Sequence, residues 1–269
     1  MEGTLAILGT GRMGEALLGG LLRSGWALPD QVICTVRSEE RARTLAETYG
    51  VHTDTDSAAA VAKADVAIVA VKPQNIRELL EVIGPHVTPR TTIVSVVAGV
   101  PTATIESLLP EGVPVVRVMS NVPVQVDEAM SVVTAGRHAD EDHLAIAEEI
   151  LGHVGRVVRL AEEHLDAVTA LSGSGPAYFF LLAEAMIDAG ILLGLSRDVA
   201  TELIVQTMVG SAKMLRDTGR HPVELREAVT SPGGTTIAAV RVLEQERVRA
   251  AFLNAIEAAK QRSEALASG

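Results

Sequence analysis

Short apolar runs alternate with helical patterns along the first half of the chain. In the helical patterns, apolar residues recur every three or four positions. The apolar runs predict β-strands over residues 4–8, 31–36, 65–71, 91–97 and 113–119. The 65–71 run is apolar at nearly every position, as is typical of a strand buried on both faces. Strands that alternate with helices predict right-handed βαβ units and a largely parallel sheet.

The pattern changes after residue 161. Before that point, residues 130–135 and 155–160 predict strands added at the sheet edge, with a helix near 140–151 between them. Beyond it no strand pattern is found. The periodic segments there predict helices over residues 162–171, 176–194, 197–218, 223–229, 235–245 and 247–267. Ser196 is the expected N-cap and Gly219 the expected C-cap of the third helix.

These patterns predict two domains, an α/β domain over residues 1–161 and an all-α domain over residues 162–269. The helices of the second domain carry Ala, Leu and Val on more than one face. A small bundle does not bury that much apolar surface alone, so we expect an obligate dimer through these helices.

Composition narrows the class of partner. The chain has 269 residues, 48% of them hydrophobic and 21% charged, which is typical of a globular protein with a sizeable core. The formal net charge of -11 argues against a nucleic-acid partner, because phosphate backbones select for basic surfaces. A small anionic ligand remains compatible with this charge.

The cysteine content and the N-terminus favour a cytoplasmic protein. Cys34 is the only cysteine, so no intramolecular disulfide can form, and the opening MEGTLAILGTG has no signal-peptide pattern. The apolar stretch FFLLAEAMIDAGILLGL contains Glu184 and Asp188, so we do not expect a membrane span. The seven histidines are scattered, and no metal site is expected.

The motif GTGRMG follows the first predicted strand and opens a helix. Gly9, Gly11 and Gly14 form G-x-G-x-x-G in the context that gives this pattern its meaning. The first glycine permits a tight turn, the second lets a pyrophosphate approach the backbone, and the third allows helix and strand to pack closely. We therefore predict a Rossmann-like dinucleotide site; a strand–helix turn without a ligand is the alternative.

The end of the second strand indicates which dinucleotide binds. An NAD site usually has an acidic residue there to bind the ribose 2′-hydroxyl, whereas this chain has Arg37 and Ser38, with Arg41 nearby. Two cations and a hydroxyl favour a 2′-phosphate, so we predict NADPH, with NADH as the alternative. Glu39 and Glu40 weaken this prediction, because the segment also fits a solvated first turn of a helix.

Three loops follow predicted strands at their carboxyl ends, where α/β sheets bind ligands. They span residues 70–74, 96–101 and 117–126, and we expect them beside the nicotinamide. For each loop, the alternative is an ordinary connection in which Pro and Gly only end the strand. Lys72 is a candidate acid, but a lysine that extends from a strand end into solvent fits equally well.

Two segments of the helical half contain helix-breaking residues. LSGSGPAYFF (171–180) is expected to interrupt the helices, with Pro176 at a first helical position. In TSPGGTTIAA (230–239), Gly233 and Gly234 allow a turn before a helix that starts with Thr235 and Thr236. An open helix N-terminus with two hydroxyls holds a carboxylate without an arginine. A tight helix–helix connection is the alternative.

Together the motifs resemble one known family. GTGRMG, AVKP, VVAGV, VRVMSN, LDAVTALSGSGPAYFF and AVTSPGGTTIAAVRVLE occur in the order seen in pyrroline-5-carboxylate reductases. The resemblance covers essentially the whole chain. It implies an oxidoreductase that reduces 1-pyrroline-5-carboxylate to L-proline with NAD(P)H, the last step of proline biosynthesis. It also implies a Rossmann domain and a helical domain that interlocks in a homodimer, often assembled into a decamer (a pentamer of dimers).

The resemblance assigns roles to particular positions. It implies substrate contacts from Val229, Gly234, Thr235 and Thr236. It implies cofactor contacts from Leu8, Gly9, Thr10, Gly11, Arg12, Met13, Val36, Arg37, Ser38, Ser57, Ala70, Val71, Lys72, Pro73, Ala98 and Gly99. The chain departs from the family at three places: Ser57 replaces a frequent Asn, Ser120 and Val122 alter a Met-Pro-Asn-Thr-Pro segment, and Ala129 replaces a Gly.

The expected chemistry needs no acid–base dyad. A protonated cyclic imine accepts hydride readily, and the Thr236 hydroxyl is the candidate proton donor to its nitrogen. Alternatives are reduction of another cyclic imino acid and a non-catalytic NADPH-binding sensor. A β-hydroxyacid dehydrogenase would need a catalytic lysine in the second domain, where Lys213 and Lys260 are the only lysines and neither has suitable spacing.

Overall fold

The computed structural model describes residues 3–267 and contains one eight-stranded sheet. The strand order is β3-β2-β1-β4-β5-β6-β7-β8. All neighbouring strands pair in parallel except β6 and β7, which are antiparallel. The strands are β1 (Leu5–Leu8), β2 (Val32–Thr35), β3 (His52–Asp54), β4 (Val66–Val69), β5 (Thr92–Ser95), β6 (Val115–Met119), β7 (Ala129–Ala135) and β8 (Gly155–Arg159).

Helices cover both faces of this sheet. Leu5 and Ile7 of β1 belong to one apolar cluster, whereas Ala6 and Leu8 belong to the other. Both faces of this strand are therefore buried, because successive side chains of a strand point to opposite sides. The helices are α1 (Arg12–Arg23), α2 (Glu39–Tyr49), α3 (Ser57–Val61), α4 (Ile76–Ile83), α5 (Thr102–Glu106) and α6 (Glu141–Gly152).

The order of the strands places a ligand crevice at one edge of the sheet. The chain runs from β1 outward to β2 and β3, then crosses back to β4 on the other side of β1. The carboxyl ends of β1 and β4 therefore lie at the point where the strand order reverses, which is where such sheets bind dinucleotides. This confirms the predicted α/β class and the predicted position of the glycine loop.

The sequence pattern did not predict the segment that forms β3 and α3, nor the antiparallel direction of β7. β3 and α3 were not predicted, because β3 has three polar residues and lies half-exposed at the sheet edge. β7 and β8 are additions at the opposite edge, as predicted, but β7 pairs antiparallel with β6. The short loop between these two strands reverses the chain and cannot make a parallel crossover.

The C-terminal part of the described chain is helical, as predicted. The chain divides into two compact units, one that runs to Ser174 and includes the segment from Ala259, and a second over Gly175–Ala258. The predicted domain boundary at residue 161 stays a prediction. The helices are α7 (Leu165–Val168), α8 (Gly175–Leu192), α9 (Arg197–Thr218), α10 (Pro222–Ala228), α11 (Thr235–Gln245) and α12 (Val248–Ala267).

Both predicted caps of α9 are present. The Ser196 hydroxyl accepts a hydrogen bond from the Val199 amide at 3.4 Å, and Gly219 ends the helix in the left-handed conformation with φ of 63°. Gly219 suits this position because it has no Cβ to oppose a positive φ. The third helix of the second half therefore has the bounds that its sequence predicts.

The LSGSG segment was expected to interrupt the helices, but in the structure a helical turn continues through it. Residues Thr169–Gly173 form a π-helical turn that joins α7 to α8, and the Ser174 amide donates to the Thr169 carbonyl at 2.8 Å. A Cβ on Gly173 would lie 2.3 Å from Cε of Met119, so the glycine permits close packing here. The backbone therefore forms one wider, π-helical turn here. Such turns are often found at functional sites.

The second unit leaves an extensive apolar surface uncovered. Within Gly175–Ala258, only Gly175 and Ala200 are buried. The helical stretch Glu162–Leu192 is long and apolar enough to span a membrane by length and composition, with 6% of its apolar window buried. Exposed apolar patches of this extent mark surfaces that another macromolecule or a membrane covers.

Candidate active site

The glycine loop after β1 has the geometry that its sequence predicts. Gly9 adopts φ of 80°, and a Cβ there would lie 2.3 Å from Cγ1 of Val71. A Cβ on Gly14 would lie 3.1 Å from Cγ2 of Ile7 and 3.3 Å from Cβ of Ala70. The first glycine therefore allows the turn, and the third allows α1 to approach the sheet.

Gly11 differs from the other two, because the protein itself does not require a glycine there. Its φ is -85°, and the nearest atom to an added Cβ is the Gly9 carbonyl oxygen at 3.9 Å. The helix that follows has no side-chain cap at its N-terminus. Backbone N–H groups there are free to bind a pyrophosphate, which a side chain at this position would obstruct.

A cavity of about 540 Å³ adjoins this loop on the β2 side. Its polar lining includes Gly9, Arg37 and Ser57, which the sequence predicted. The Ser57 hydroxyl lies 2.9 Å from the Thr35 hydroxyl, and the Gly9 amide donates to Thr35 Oγ1 at 3.3 Å. Ser57 is therefore held in position against the dinucleotide loop.

The apolar wall of this cavity was missed from the sequence. It includes Val71, Leu79 and Val82, and the last two belong to α4. Leu79 and Val82 lie outside the buried stripe of α4, and Val82 is 49% exposed. A second apolar stripe on an amphipathic helix was the signal that could have revealed them. The cavity suits an adenosine, with apolar contacts for the base and hydroxyls for the ribose.

A second cavity, of about 290 Å³, lies around the end of β2. Its lining brings together most of the predicted cofactor residues: Gly9, Thr10, Gly11, Val36, Arg37, Ser38, Ala70, Val71 and Lys72, with Arg41 and Asn75. The Ser38 hydroxyl caps α2 by accepting from the Arg41 amide at 3.3 Å. Its own O–H remains a donor, so Arg37, Ser38 and the start of α2 form a site that fits a 2′-phosphate.

The remaining predicted cofactor residues do not line these two cavities. Leu8 is fully buried at the end of β1, and Arg12 lines a different cavity with Glu15 and Tyr49. The others lie at the starts of helical segments or at the end of β5: Met13 is half-buried, Gly99 is half-buried with φ of 75°, and Pro73 and Ala98 are exposed.

The Gly99 loop is anchored by a pair of charges that the sequence did not reveal. The Glu162 carboxylate accepts from the Thr102 amide at 2.8 Å, from the Thr102 hydroxyl at 2.7 Å and from Arg117 at 2.8 Å. Partial burial raises the pKa of Glu162, but the bonds from Arg117 and Thr102 outweigh it and lower the pKa overall. The carboxylate therefore fixes the start of α5, directly after the loop.

Asn121 joins the altered segment after β6 to the π-helical turn. This side chain is 8% exposed, its amide group donates to the Ser172 carbonyl at 3.0 Å, and its carbonyl accepts from the Met130 amide at 2.9 Å. The Ser120 hydroxyl accepts from Ser131 at 2.9 Å. The hydrogen bonds of Asn121 therefore order this loop, although Ser120 and Val122 on either side of it depart from the family pattern.

The TSPGGTT segment forms an open helix N-terminus in the second unit. Gly233 has φ of 69°, and a Cβ on Gly234 would lie 2.3 Å from the Ser231 hydroxyl oxygen. Gly234 is the N-cap of α11, and no side chain caps this helix. The first turn contains no acidic residue. An anion therefore meets free N–H groups and an uncompensated positive helix end.

The groups that can donate to an anion at this site are the amides and hydroxyls of Thr235 and Thr236, whereas the Gly234 amide has a partner within the protein. The Gly234 amide already donates to the Ser231 carbonyl at 3.1 Å. The amides of Thr235 and Thr236, in the first turn, have no helical acceptor. Within residues 3–267, no protein group bonds to the hydroxyls of these two threonines; Thr236 is half-buried and Thr235 exposed. Val229 is 63% exposed at the end of α10.

Two family models match the chain and define its class. Residues 4–99 match the model described as NADP oxidoreductase, coenzyme F420-dependent. Residues 162–266 match the model described as pyrroline-5-carboxylate reductase dimerisation. With the glycine loop and the doubly covered sheet, these matches define an NADP-dependent oxidoreductase with a helical dimerisation region.

Similar proteins of known name match over nearly the full length. A pyrroline-5-carboxylate reductase from Corynebacterium melassecola is 44% identical, with 98% of both chains covered. The solved reductase from Coxiella burnetii has a TM-score of 0.93 at 36% identity, with 99% of both chains covered. The reductase from Plasmodium falciparum, solved with NADP bound, has a TM-score of 0.89 at 26% identity and covers 99% of this chain and 98% of its own.

The chain therefore belongs to the pyrroline-5-carboxylate reductase family. The predicted family, fold class, enzyme class, reaction and NADP cofactor are confirmed by these comparisons. The predicted roles of individual residues and the domain boundary stay predictions.

Proposed function

We propose that this protein reduces 1-pyrroline-5-carboxylate to L-proline, with the carboxylate bound at the N-terminus of α11. The observation that carries this proposal is the uncapped helix start at Gly234, with two free threonine hydroxyls beside it. The family of the chain supports the reaction.

The cofactor is held by the loop after β1 and by the end of β2. NADPH, when bound, supplies the hydride. The amides at the start of α1 bind the pyrophosphate, which approaches the backbone at Gly11, and Arg37 and Ser38 bind the 2′-phosphate. The residues Ala70–Pro73, Ala98 and Gly99 form the nicotinamide side of the site at the ends of β4 and β5. NADH lacks the 2′-phosphate and therefore binds less tightly.

The substrate needs orientation more than it needs acid–base catalysis. The amides of Thr235 and Thr236 hold the carboxylate, and Val229 and Gly234 border the ring. The Thr236 hydroxyl donates a hydrogen bond to the neutral imine nitrogen and relays a proton to it from solvent, and the adjacent carbon of the resulting iminium is a better hydride acceptor. Correct positioning of the two reactants supplies about 7–11 kcal/mol of the barrier reduction.

Replacement of Thr236 tests this arrangement. Thr236→Ala is expected to lower kcat/KM for 1-pyrroline-5-carboxylate about 100-fold, the lower end for a positioned proton donor. Thr236→Ser keeps the hydroxyl and is expected to stay within about threefold of wild type. NADPH oxidation at 340 nm is the measurement, and circular dichroism checks folding. Wild-type kinetics in Thr236→Ala would refute the proposed role.

The choice of substrate distinguishes this function from its alternatives. We expect faster NADPH oxidation with the five-membered cyclic imino acid than with the six-membered one. With a 3-hydroxyacid and NADP⁺ as the control pair, we expect no formation of NADPH. Preference for the six-membered imine would assign the altered loop at Ser120–Pro123 to a different ring size. NADPH binding without turnover of any imine would identify a sensor.

We also propose a cytoplasmic homodimer that assembles into a decamer, without membrane or nucleic-acid partners. The exposed apolar helices of the second unit and the dimerisation family model support self-association. Glu184 and Asp188 within α8 argue against a membrane as the covering surface. The net charge of -11 argues against nucleic acid, and the single free Cys34 suits a reducing compartment.

A further inference from the structure

Glu15 connects the dinucleotide helix to the helix that begins the phosphate site. Glu15 lies in the first turn of α1, and its carboxylate forms an ion pair with the guanidinium of Arg41 from the first turn of α2. The Tyr49 hydroxyl, at the end of α2, donates to the other carboxylate oxygen at 3.4 Å. The carboxylate is therefore bonded from two turns of the neighbouring helix.

The site is half-buried, so its charges are only partly screened by water. The Glu15 side chain is 31% exposed and the Arg41 side chain 36%. Burial first, and then the charge of Glu15, raise the pKa of Tyr49, so the phenol stays a hydrogen-bond donor at neutral pH. Partly buried charges interact more strongly than fully exposed ones.

Arg41 pairs with Glu15 and also lines the cavity proposed for the cofactor. It lines the same cavity as Arg37, Ser38 and Lys72 at the start of α2. Within residues 3–267, Arg37 and Lys72 have no ion pair, whereas Arg41 does. The charge that Arg41 offers to a 2′-phosphate is therefore offset by a carboxylate, and that of Arg37 is not.

We infer that Glu15 is a specificity-determining residue that limits the preference for NADPH over NADH by neutralising Arg41. The two cofactors differ only in the 2′-phosphate, which carries about -1.5 to -2 charges at neutral pH. The effect of Glu15 on the pyrophosphate is the same for both cofactors. The ratio of their affinities therefore isolates its effect on the 2′-phosphate. This inference rests on the proposed cofactor site.

Glu15→Gln removes the charge and keeps an acceptor for Arg41 and Tyr49. Calorimetric titration of the full-length, assembled protein with adenosine 2′,5′-bisphosphate and with adenosine 5′-monophosphate, which differ only in the 2′-phosphate, gives the two dissociation constants. We expect the preference for the 2′-phosphorylated ligand to increase about fivefold in this variant. The ratio of KM for NADH to KM for NADPH is expected to rise by the same factor.

Two controls test the route through Arg41. Glu47→Gln removes one negative charge from an exposed position further along α2 and should leave the preference within twofold of wild type. In an Arg41→Gln background, Glu15→Gln should change the preference less than twofold, because the cation that Glu15 neutralises is then absent. Unfolding temperatures of all variants verify that they fold.

The outcomes are distinct. An unchanged preference in Glu15→Gln, or a fall in favour of adenosine 5′-monophosphate, would overturn the inference, since a fall would mean that Glu15 holds Arg41 in its binding position. An equal gain in Glu47→Gln would overturn it too, as a general charge effect. If wild-type protein binds neither ligand, the proposed cofactor site fails, whereas loss of imine reduction alone leaves the inference standing.

Discussion

Removal of the Glu162 carboxylate should destabilise the protein by leaving a buried cation without a partner. The Arg117 side chain is 8% exposed, whereas that of Glu162 is 32% exposed. Loss of one partner from a buried pair costs about 3–5 kcal/mol, and the partial exposure of Glu162 places Glu162→Ala near about 3 kcal/mol. Two hydrogen bonds from Thr102 to this carboxylate are lost as well.

Thermal unfolding, followed by circular dichroism, measures this effect. A loss of about 3 kcal/mol is expected to lower Tm by roughly 6–12 °C. Glu163→Ala is the matched control, because the neighbouring side chain is 79% exposed and lies 3.7 Å from His164. That variant should change stability by less than about 0.5 kcal/mol. Equal shifts in the two variants would refute the reasoning.

The double variant Arg117→Met/Glu162→Gln separates the buried charge from the hydrogen bonds. It removes both charges and keeps an acceptor for Thr102, so it should recover more than half of the stability lost in Glu162→Ala. The KM for NADPH should rise in Glu162→Ala, because Thr102 follows the loop that contains Gly99. No recovery in the double variant would show that the cation is not the cause.

The same pair predicts the direction of a pH effect. The pKa of Glu162 in the folded protein lies below its unfolded value, so its contribution is fully present above the unfolded pKa. Stability should fall as pH decreases through the folded pKa. The difference in Tm between wild type and Glu162→Gln should therefore narrow in acid.

Two further perturbations test the glycine loop and the assembly. Gly14→Ala should lose about 1–3 kcal/mol by overpacking against Ile7, measured by urea unfolding. Gly11→Ala should lose less than about 1 kcal/mol while its KM for NADPH rises about tenfold, and a reversed order of the two would contradict the assigned roles. Phe180→Glu, at a position 66% exposed in the single chain, should reduce the oligomer mass in light scattering. Leu28→Glu, at a position 58% exposed outside the helical unit, should not, and an unchanged mass in Phe180→Glu would argue against α8 as the interface.

Local pattern was enough to predict most of the elements. The helices α9 and α11 have the predicted bounds, because each combines an apolar stripe with a clear start or stop signal. β3 was not predictable, since its three residues are polar and it forms only by pairing with β2. The π-helical turn was missed because the reason for it, the approach of Met119 to Gly173, lies 54 positions away in the chain.

The sequence by itself determined the class of this protein. Gly9, Gly11 and Gly14 specify a dinucleotide loop, since turn, ligand approach and close packing each require a residue without a side chain. Gly233, Gly234 and the threonines after them likewise specify an open helix start. These are local features, in which the residues that matter are neighbours in the chain.

The tertiary structure alone decided which distant side chains meet. Arg41 pairs with Glu15 across 26 positions, and Arg117 pairs with Glu162 across 45. The wall at Leu79 and Val82 faces the cavity beside Gly9 only because α4 packs against α3 on the sheet. The residues next to a charged or apolar side chain in the sequence do not indicate which distant residue it will contact. Packing of the helices on the sheet fixes these pairs, and with them the electrostatics of the cofactor site.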